Sequence, residues 1–246
     1  MVTSTRSVPA RSAPVPPRST ESPSIGAPLF ILNLKAYPGH IGEGAVRVAR
    51  LLESVGRELG VATAIAPPMP DLARVAHSVA MPVLAQHADP GDPGARTGFV
   101  PVAAVEAAGA RGSLVNHSEH PIEYAEVEDV VRRLAGVGLV AVVCAADVEP
   151  AARLARTRPS NLAVEPPELI GGDRAVSTAR PQVVSGTVER VRSVSPSTHV
   201  LCGAGVHDRR DFARALELGA EGVLVASAVT RAPDAERAIR ELLSGF

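Results

Sequence analysis

Short apolar runs alternate along the chain with longer segments in which apolar residues recur every three or four positions. The short runs are typical of buried β-strands, and the longer segments are typical of helices with one apolar face. The pattern predicts eight strands, at Leu29–Leu34, Val61–Ala66, Val83–Gln86, Gly112–Val115, Val140–Cys144, Asn161–Val164, His199–Cys202 and Gly222–Val225. A helix is predicted after each strand, the clearest being those that carry Val48, Leu52 and Val55, then Val127, Val130 and Leu134, and finally Ala238, Ile239 and Leu242.

Eight strand–helix pairs within about 218 residues match the count and size of a (β/α)8 TIM barrel. We therefore expect an α/β protein with one barrel domain over residues 28–246. A doubly wound open sheet also alternates strands and helices, but it seldom runs to eight equal units. The first strand also leads into no G-x-G-x-x-G turn, which such sheets use to bind dinucleotides.

Residues 1–27 differ in composition from the rest of the chain, since they are rich in Pro, Ser, Thr and Arg. Such a segment buries too little apolar surface to fold, so we expect a disordered tail. It faintly resembles an organelle transit peptide, but its prolines argue against an amphipathic helix. The tail is predicted to be dispensable.

Composition narrows the function classes. Hydrophobic residues make up 46% of the chain but aromatic residues only 2%, and the net charge is −1, so nucleic-acid binding has no support. No apolar stretch is long enough for a membrane span. Cys144 and Cys202 lie in separate apolar runs without metal-ligand or disulfide spacing, and a cytoplasmic protein without metal or cofactor is the simplest expectation.

Polar residues and glycines follow the predicted strands, at the ends where a TIM barrel carries its chemistry. They are Asn33 and Lys35 after strand 1, Asn116 to Glu119 after strand 4, Glu165 after strand 6, Gly203 and Gly205 after strand 7, and Ala226 and Ser227 after strand 8. The chain has 24 Arg but a single Lys, Lys35. Because arginine replaces lysine freely on surfaces, the lone lysine indicates a position that needs a compact point charge.

The segment after strand 6 combines a candidate base with a candidate lid. Glu165 ends the strand, Pro166 and Pro167 keep the chain out of a helix, and Gly171 and Gly172 supply a hinge. A fixed carboxylate beneath a closing flap suits an enzyme that abstracts a proton while excluding water.

Five motifs together resemble the triosephosphate isomerase family in its short, archaeal-type form. They are Asn33-Leu-Lys35, Asn116-His-Ser-Glu119, Ala163-Val-Glu-Pro-Pro-Glu-Leu-Ile-Gly171, Cys202-Gly-Ala-Gly205 and Val225-Ala-Ser227. The resemblance covers about residues 28–246. It implies interconversion of dihydroxyacetone phosphate and glyceraldehyde 3-phosphate through an enediolate, in a homodimer or homotetramer. The TIM barrel and the acid–base assignments of this family are established examples of fold and pKa tuning.

The resemblance also implies roles for individual residues. Glu165 is similar to the base, His117 to a neutral electrophile and Lys35 to the cation that balances substrate charge, with Asn33 beside it and Glu119 in support. Positions that hold the phosphate correspond to Ile170, Gly171, Gly205, Ala226 and Ser227. Thr97 resembles the residue that a loop delivers to a neighbouring subunit.

The sequence departs from the family pattern in the tail and at two further places. His120 and Pro121 stand where the family usually has two arginines, and Asp173 follows two glycines where the lid usually ends Gly-Thr-Gly. Three alternatives therefore stay open at this point: an isomerase of a larger phosphorylated keto-sugar, a lyase that uses Lys35 as a Schiff base, and an inactive scaffold.

Overall fold

The computed structural model describes residues 25–27, 29–170, 172 and 175–244. Within them lie eight parallel strands: β1 (Leu29–Asn33), β2 (Ala62–Ala66), β3 (Leu84–Ala85), β4 (Gly112–Val115), β5 (Val140–Ala145), β6 (Asn161–Val164), β7 (His199–Cys202) and β8 (Gly222–Val225). They form one sheet in the order β2-β1-β8-β7-β6-β5-β4-β3. A parallel bridge between Ile65 and Val83 joins β2 to β3 and brings the two ends together. The TIM barrel predicted from the sequence is confirmed.

Ten α-helices alternate with the strands in the described residues. They are α1 (Glu43–Leu59), α2 (Leu72–Ala76), α3 (Val102–Ala107), α4 (Tyr124–Gly136), α5 (Val148–Ala155), α6 (Val176–Ala179), α7 (Pro181–Val194), α8 (Arg209–Glu217), α9 (Ser227–Thr230) and α10 (Ala235–Leu243). Eight of them follow the strands as predicted. The four-residue helices α6 and α9 are additional, and α9 begins directly after the end of β8.

Side-chain caps fix where several of these helices begin. The Asp208 carboxylate accepts hydrogen bonds from Arg210 N and Asp211 N at the start of α8, and Asp234 accepts one from Arg237 N at the start of α10. Such caps satisfy backbone N–H groups that have no partner within the helix. The helices therefore start at defined residues, which also fixes the loops between strand and helix.

The core has an outer and an inner layer because strand side chains point alternately to opposite faces. In β1, Phe30 and Leu32 belong to the large cluster that the strands form with the helices, whereas Leu29 and Ile31 belong to the small cluster inside the barrel. The inner cluster fills the barrel with aliphatic side chains. Active chemistry is therefore confined to the rim.

Ile25 lies at the edge of the inner cluster, where its half-buried side chain packs against it. Residues 1–24 lie outside the described part of the chain, so the predicted disordered tail and its boundary stay predictions. The packing of Ile25 indicates that the barrel's contacts extend two residues before Ala27.

Candidate active site

One end of the barrel carries the candidate residues because all eight strands run in the same direction. Asn33 ends β1, and Glu165 directly follows β6. The carboxyl ends of the strands surround a narrow cleft. Its lining consists of Asn33, Lys35, His117, Glu165, Ile170, Gly203, Gly205, Val206, Leu224, Val225, Ala226 and Ser227.

The structure thus brings together most of the residues that the sequence singled out. Gly171 and Asp173 lie outside the described residues, so their predicted contributions stay untested. Thr97 is exposed and does not line the cleft. Its loop is held to α4, where Asp129 accepts a hydrogen bond from Gly91 N at 2.8 Å and binds the Arg133 side chain at 2.6 Å.

Glu165 is the most buried charged group of the site, with 4% of its surface exposed. Burial raises the pKa of its carboxyl to about 7, although a hydrogen bond from the Cys144 thiol and the charge of Lys35 lower it. A carboxyl in a dry environment resists ionisation because the charged form loses its hydration. Glu165 Oε2 has no hydrogen-bond partner in the structure. A group of this kind can take up a proton near neutral pH.

His117 faces that unpartnered oxygen, with its Nε2 atom 3.8 Å from Glu165 Oε2. The backbone N–H of Glu119 donates to His117 Nδ1 at 3.1 Å, so in the neutral ring the proton sits on Nε2. Burial lowers the pKa of His117, and the positive charge of Lys35 acts in the same direction, whereas Glu119 opposes it. A neutral imidazole therefore presents an N–H donor to the cleft.

Lys35 supplies the positive charge, and its backbone is held in an unusual conformation. Its φ of 51° lies in the left-handed region that non-glycine residues rarely adopt. The Asn33 side chain stabilises this turn, because its Oδ1 accepts a hydrogen bond from Lys35 N at 3.0 Å. Lys35 Nζ donates to Glu119 Oε1 at 2.6 Å. Asn33 and Glu119 thus place the ammonium beside the turn that carries His117.

Gln86 contacts the turn that carries Lys35, which the sequence alone did not reveal. Its Nε2 lies 3.2 Å from Asn33 Oδ1, 3.0 Å from Lys35 O and 3.1 Å from Ala66 O. A single glutamine after a short strand belongs to no recognisable motif, and only its place beside β1 and β2 in the barrel reveals these contacts. The sequence does not reveal the contact of Cys144 with Glu165 either, because a cysteine in an apolar run is typical of packing.

Backbone groups dominate the opposite side of the cleft, next to Gly205 and the start of α9. Gly205 has a φ of 67°, which suits glycine. Ala226 and Ser227 begin α9, where the first backbone N–H groups have no partner within the helix. Free N–H groups at a helix start favour an anion such as phosphate.

The lid segment after Glu165 starts with a turn of 3-10 helix at Pro167–Leu169. Its Glu168 forms an ion pair with Arg180, which also binds Asp147 at 3.0 Å. A ring nitrogen of His207 lies 2.7 Å from Gly172 O. The lid is therefore tied at both ends to neighbouring rim segments.

The described residues also bear on two further patterns, that of a metal site and that of a membrane-spanning helix. They contain no group of three or more His, Cys, Asp or Glu side chains arranged to hold a metal ion. Within the same residues, no helix is both long and apolar enough to cross a bilayer.

Comparison with known proteins adds independent information. The family model described as triosephosphate isomerase matches residues 28–242. The triosephosphate isomerase of Methanothermus fervidus is 45% identical over 217 residues, covering 88% of this chain and 98% of that protein. The one from Caldivirga maquilingensis is 46% identical over 215 residues, covering 87% and 96%. A crystal structure of triosephosphate isomerase from Bartonella henselae has a TM-score of 0.72 at 19% identity, covering 89% of this chain and 99% of that one. That last likeness concerns the fold.

Proposed function

Because the chain belongs to the triosephosphate isomerase family, we propose that it interconverts dihydroxyacetone phosphate and glyceraldehyde 3-phosphate by moving a proton between adjacent carbons. The observation that carries this proposal is the pairing of Glu165 with His117. A buried carboxyl with its pKa raised to about 7 lies 3.8 Å from an imidazole whose pKa is lowered. A base and a neutral donor that share one cleft suit the formation and collapse of an enediolate.

In the forward step, the Glu165 carboxylate takes the proton from the carbon beside the carbonyl. The electron pair of that C–H bond forms the carbon–carbon double bond of the enediolate, and negative charge moves onto the carbonyl oxygen. His117 donates a hydrogen bond from Nε2 to this oxygen. Since a neutral imidazole is a weak acid, it can donate to the oxygen and take a proton back without being trapped as a cation.

The isomerisation is complete when Glu165 returns the proton it received to the neighbouring carbon. In the same step His117 relays a proton between the two oxygens. Lys35 offsets the negative charge of the phosphate and of the enediolate, whose energy depends on nearby cations. Asn33 and Glu119 hold Lys35 in place through the hydrogen bonds described above.

The phosphate is proposed to bind at the backbone N–H groups of Gly205, Ala226 and Ser227, together with Gly171 and Ile170 on the lid side. Free N–H groups at the start of α9 support this placement. The lid would exclude water, which strengthens the electrostatic interactions inside the closed site.

We also propose a cytoplasmic homo-oligomer, a dimer or a tetramer. Phe99 and Ile41 are large hydrophobic side chains with 50% and 49% of their surfaces exposed, and Phe99 lies two residues after Thr97. Exposed apolar side chains of this size suit a subunit contact. Light scattering after gel filtration gives the mass in solution, and a monomer would contradict this proposal.

The experiment that tests the function compares turnover of glyceraldehyde 3-phosphate with turnover of four- and five-carbon keto-sugar phosphates. The triose is expected to have the highest kcat/KM, and a higher value for a longer sugar would overturn the proposal. Borohydride treatment in the presence of substrate tests the lyase alternative. Lys35 Nζ is held by Glu119 Oε1 at 2.6 Å, and this contact would have to break before the amine could attack a carbonyl carbon, so no covalent adduct is expected.

A further inference from the structure

Two histidines stack beside the turn that carries His117. The rings of His87 and His120 have centroids 3.8 Å apart and planes inclined by 9°. His87 follows β3 and is 7% exposed, whereas His120 lies on the exposed turn after β4. His120 also stands at one of the positions where the family resemblance predicts arginine.

The His87 side of the stack is firmly held. Its Nε2 lies 3.1 Å from Asp89 Oδ1, and Asp89 Oδ2 accepts a hydrogen bond from Val100 N at 2.6 Å. Although burial alone would raise the pKa of Asp89, the hydrogen bonds from Val100 and His87 hold it below its ordinary value. Asp89 therefore stays a carboxylate and fixes the orientation of the His87 ring.

The His120 side of the stack is coupled to the reacting groups. His120 N donates to His117 O at 2.7 Å, and the turn between them contains Glu119, whose N–H holds His117 Nδ1. Asn116 anchors the same turn from the other side, through Cys144 O at 3.0 Å and Ile122 N at 3.1 Å. The stack is the contact that anchors the turn towards β3.

We propose that the stack of His120 on His87 positions the catalytic turn, so that His120 is a positioning residue for His117. The ring of His120 lies on a ring fixed by Asp89, and a shift of His120 is passed to His117 through the 2.7 Å backbone hydrogen bond. His117 must place Nε2–H at the substrate oxygen, and small displacements of a catalytic group lower kcat more than they change substrate binding. This inference rests on the proposed isomerase function.

A series of variants at His120 tests the proposal. His120→Ala removes the ring and is expected to lower kcat about 3- to 10-fold, the range that corresponds to an aromatic pair, while KM changes less than about twofold. His120→Phe keeps a planar ring for stacking and is expected to retain more than half of the wild-type kcat. His77→Ala is the control, because this exposed histidine bonds only to its own helix, through Ala73 O, among the contacts described for it.

A double-mutant cycle makes the test specific to the pair. His87→Asn keeps an N–H donor for Asp89 but removes the ring, so adding His120→Ala to it should cause no further loss of kcat. Equal losses for His120→Ala and His120→Phe, a loss confined to KM, or fully additive effects in the cycle would each overturn the proposal. Melting curves show whether any variant fails to fold.

A second measurement separates this proposal from the proposed function. The ring-nitrogen NMR signals of His117, assigned with His117→Asn, should shift in His120→Ala and return to wild-type values in His120→Phe. This readout needs no turnover. If the wild-type chain has no isomerase activity, the proposed function fails, and the His117 signals still decide whether the stack positions the ring. Unchanged signals in His120→Ala would overturn the positioning role.

Discussion

Gly203→Ala tests how closely the position of Glu165 is set by its surroundings. A Cβ atom at residue 203 would lie 2.3 Å from Glu165 Cγ and 2.9 Å from both Cδ and Oε1. Ordinary contacts of a Cβ atom start at 3.4 Å, so Cγ would have to retreat by about 1.1 Å. Since a misplacement of about 1 Å can cost about 100-fold in rate, we expect kcat to fall by about two orders of magnitude.

A neighbouring cavity can receive the displaced Glu165 carboxyl, so the fold should tolerate the Gly203→Ala change. A second cavity of about 280 Å³ lies against Glu165, lined by Asn116, Ser118, Pro121, Cys144, Ala145, Ala146 and Pro167. We expect the melting midpoint to fall by no more than about 4 °C, which corresponds to about 1 kcal/mol in a chain of this size. The loss of rate would then reflect the position of the base and not unfolding.

The assay couples formation of dihydroxyacetone phosphate to oxidation of NADH and compares the variant with Gly136→Ala. Gly136 ends α4, and a Cβ atom added there would meet nothing within 4 Å, so this control should keep wild-type kcat and stability. A Gly203→Ala protein that keeps more than a third of the wild-type kcat would refute the reasoning. So would a crystal structure of the variant in which Glu165 has not moved.

Four further results are expected. Lys35→Arg should worsen both kcat and KM in steady-state kinetics with little change in the melting curve, because a planar guanidinium cannot replace the point charge that contacts Glu119; near-wild-type kinetics would contradict this. A pH series should show kcat/KM falling about tenfold per unit below pH 7, as Glu165 takes up a proton. Burial raises the pKa of Glu165 from 4.5 to about 7, so the folded state loses stability relative to the unfolded chain as pH rises through that range. The Glu165→Gln variant has no carboxyl to ionise, and it should be more stable than wild type at pH 8 by on the order of 3 kcal/mol. The packing of Ile25 revises the expectation that all of residues 1–27 are dispensable. A chain beginning at Ile25 should keep wild-type activity and stability, whereas one beginning at Ala27 should keep activity but lose about 1 kcal/mol of stability with the Ile25 contact. Equal stability of the two would show that this contact contributes nothing.

The strands and long helices could be predicted because each carries its own periodic signal. The face of α4 that contains Val127, Val130 and Leu134 is buried, as its spacing indicated. Helices α6 and α9 have only four residues each, which is too short for a 3.6-residue period to show. Their positions follow from packing at the rim and not from local sequence.

The sequence could also single out the candidate reacting groups Glu165, His117 and Lys35, because each follows an apolar strand and belongs to a motif. The residues that contact these groups and hold them in place could not be predicted. Gln86 contacts Asn33 across 53 positions of sequence, and His120 stacks on His87 across 33 positions. Such pairings depend on how side chains from different rim loops meet in the folded barrel, and no local pattern in the sequence shows this.

Glu165 is proposed to move a proton between two carbons of the triose phosphate, and NMR of the reaction in D2O follows this transfer. A base that exchanges its proton with solvent should leave deuterium on the reacting carbon of part of the dihydroxyacetone phosphate formed from glyceraldehyde 3-phosphate. Glu165→Gln should slow both isomerisation and deuterium incorporation by about 10²- to 10⁴-fold, with affinity for inorganic phosphate nearly unchanged. Wild-type product that never carries deuterium, or a Glu165→Gln variant with more than half of the wild-type rate, would contradict the account.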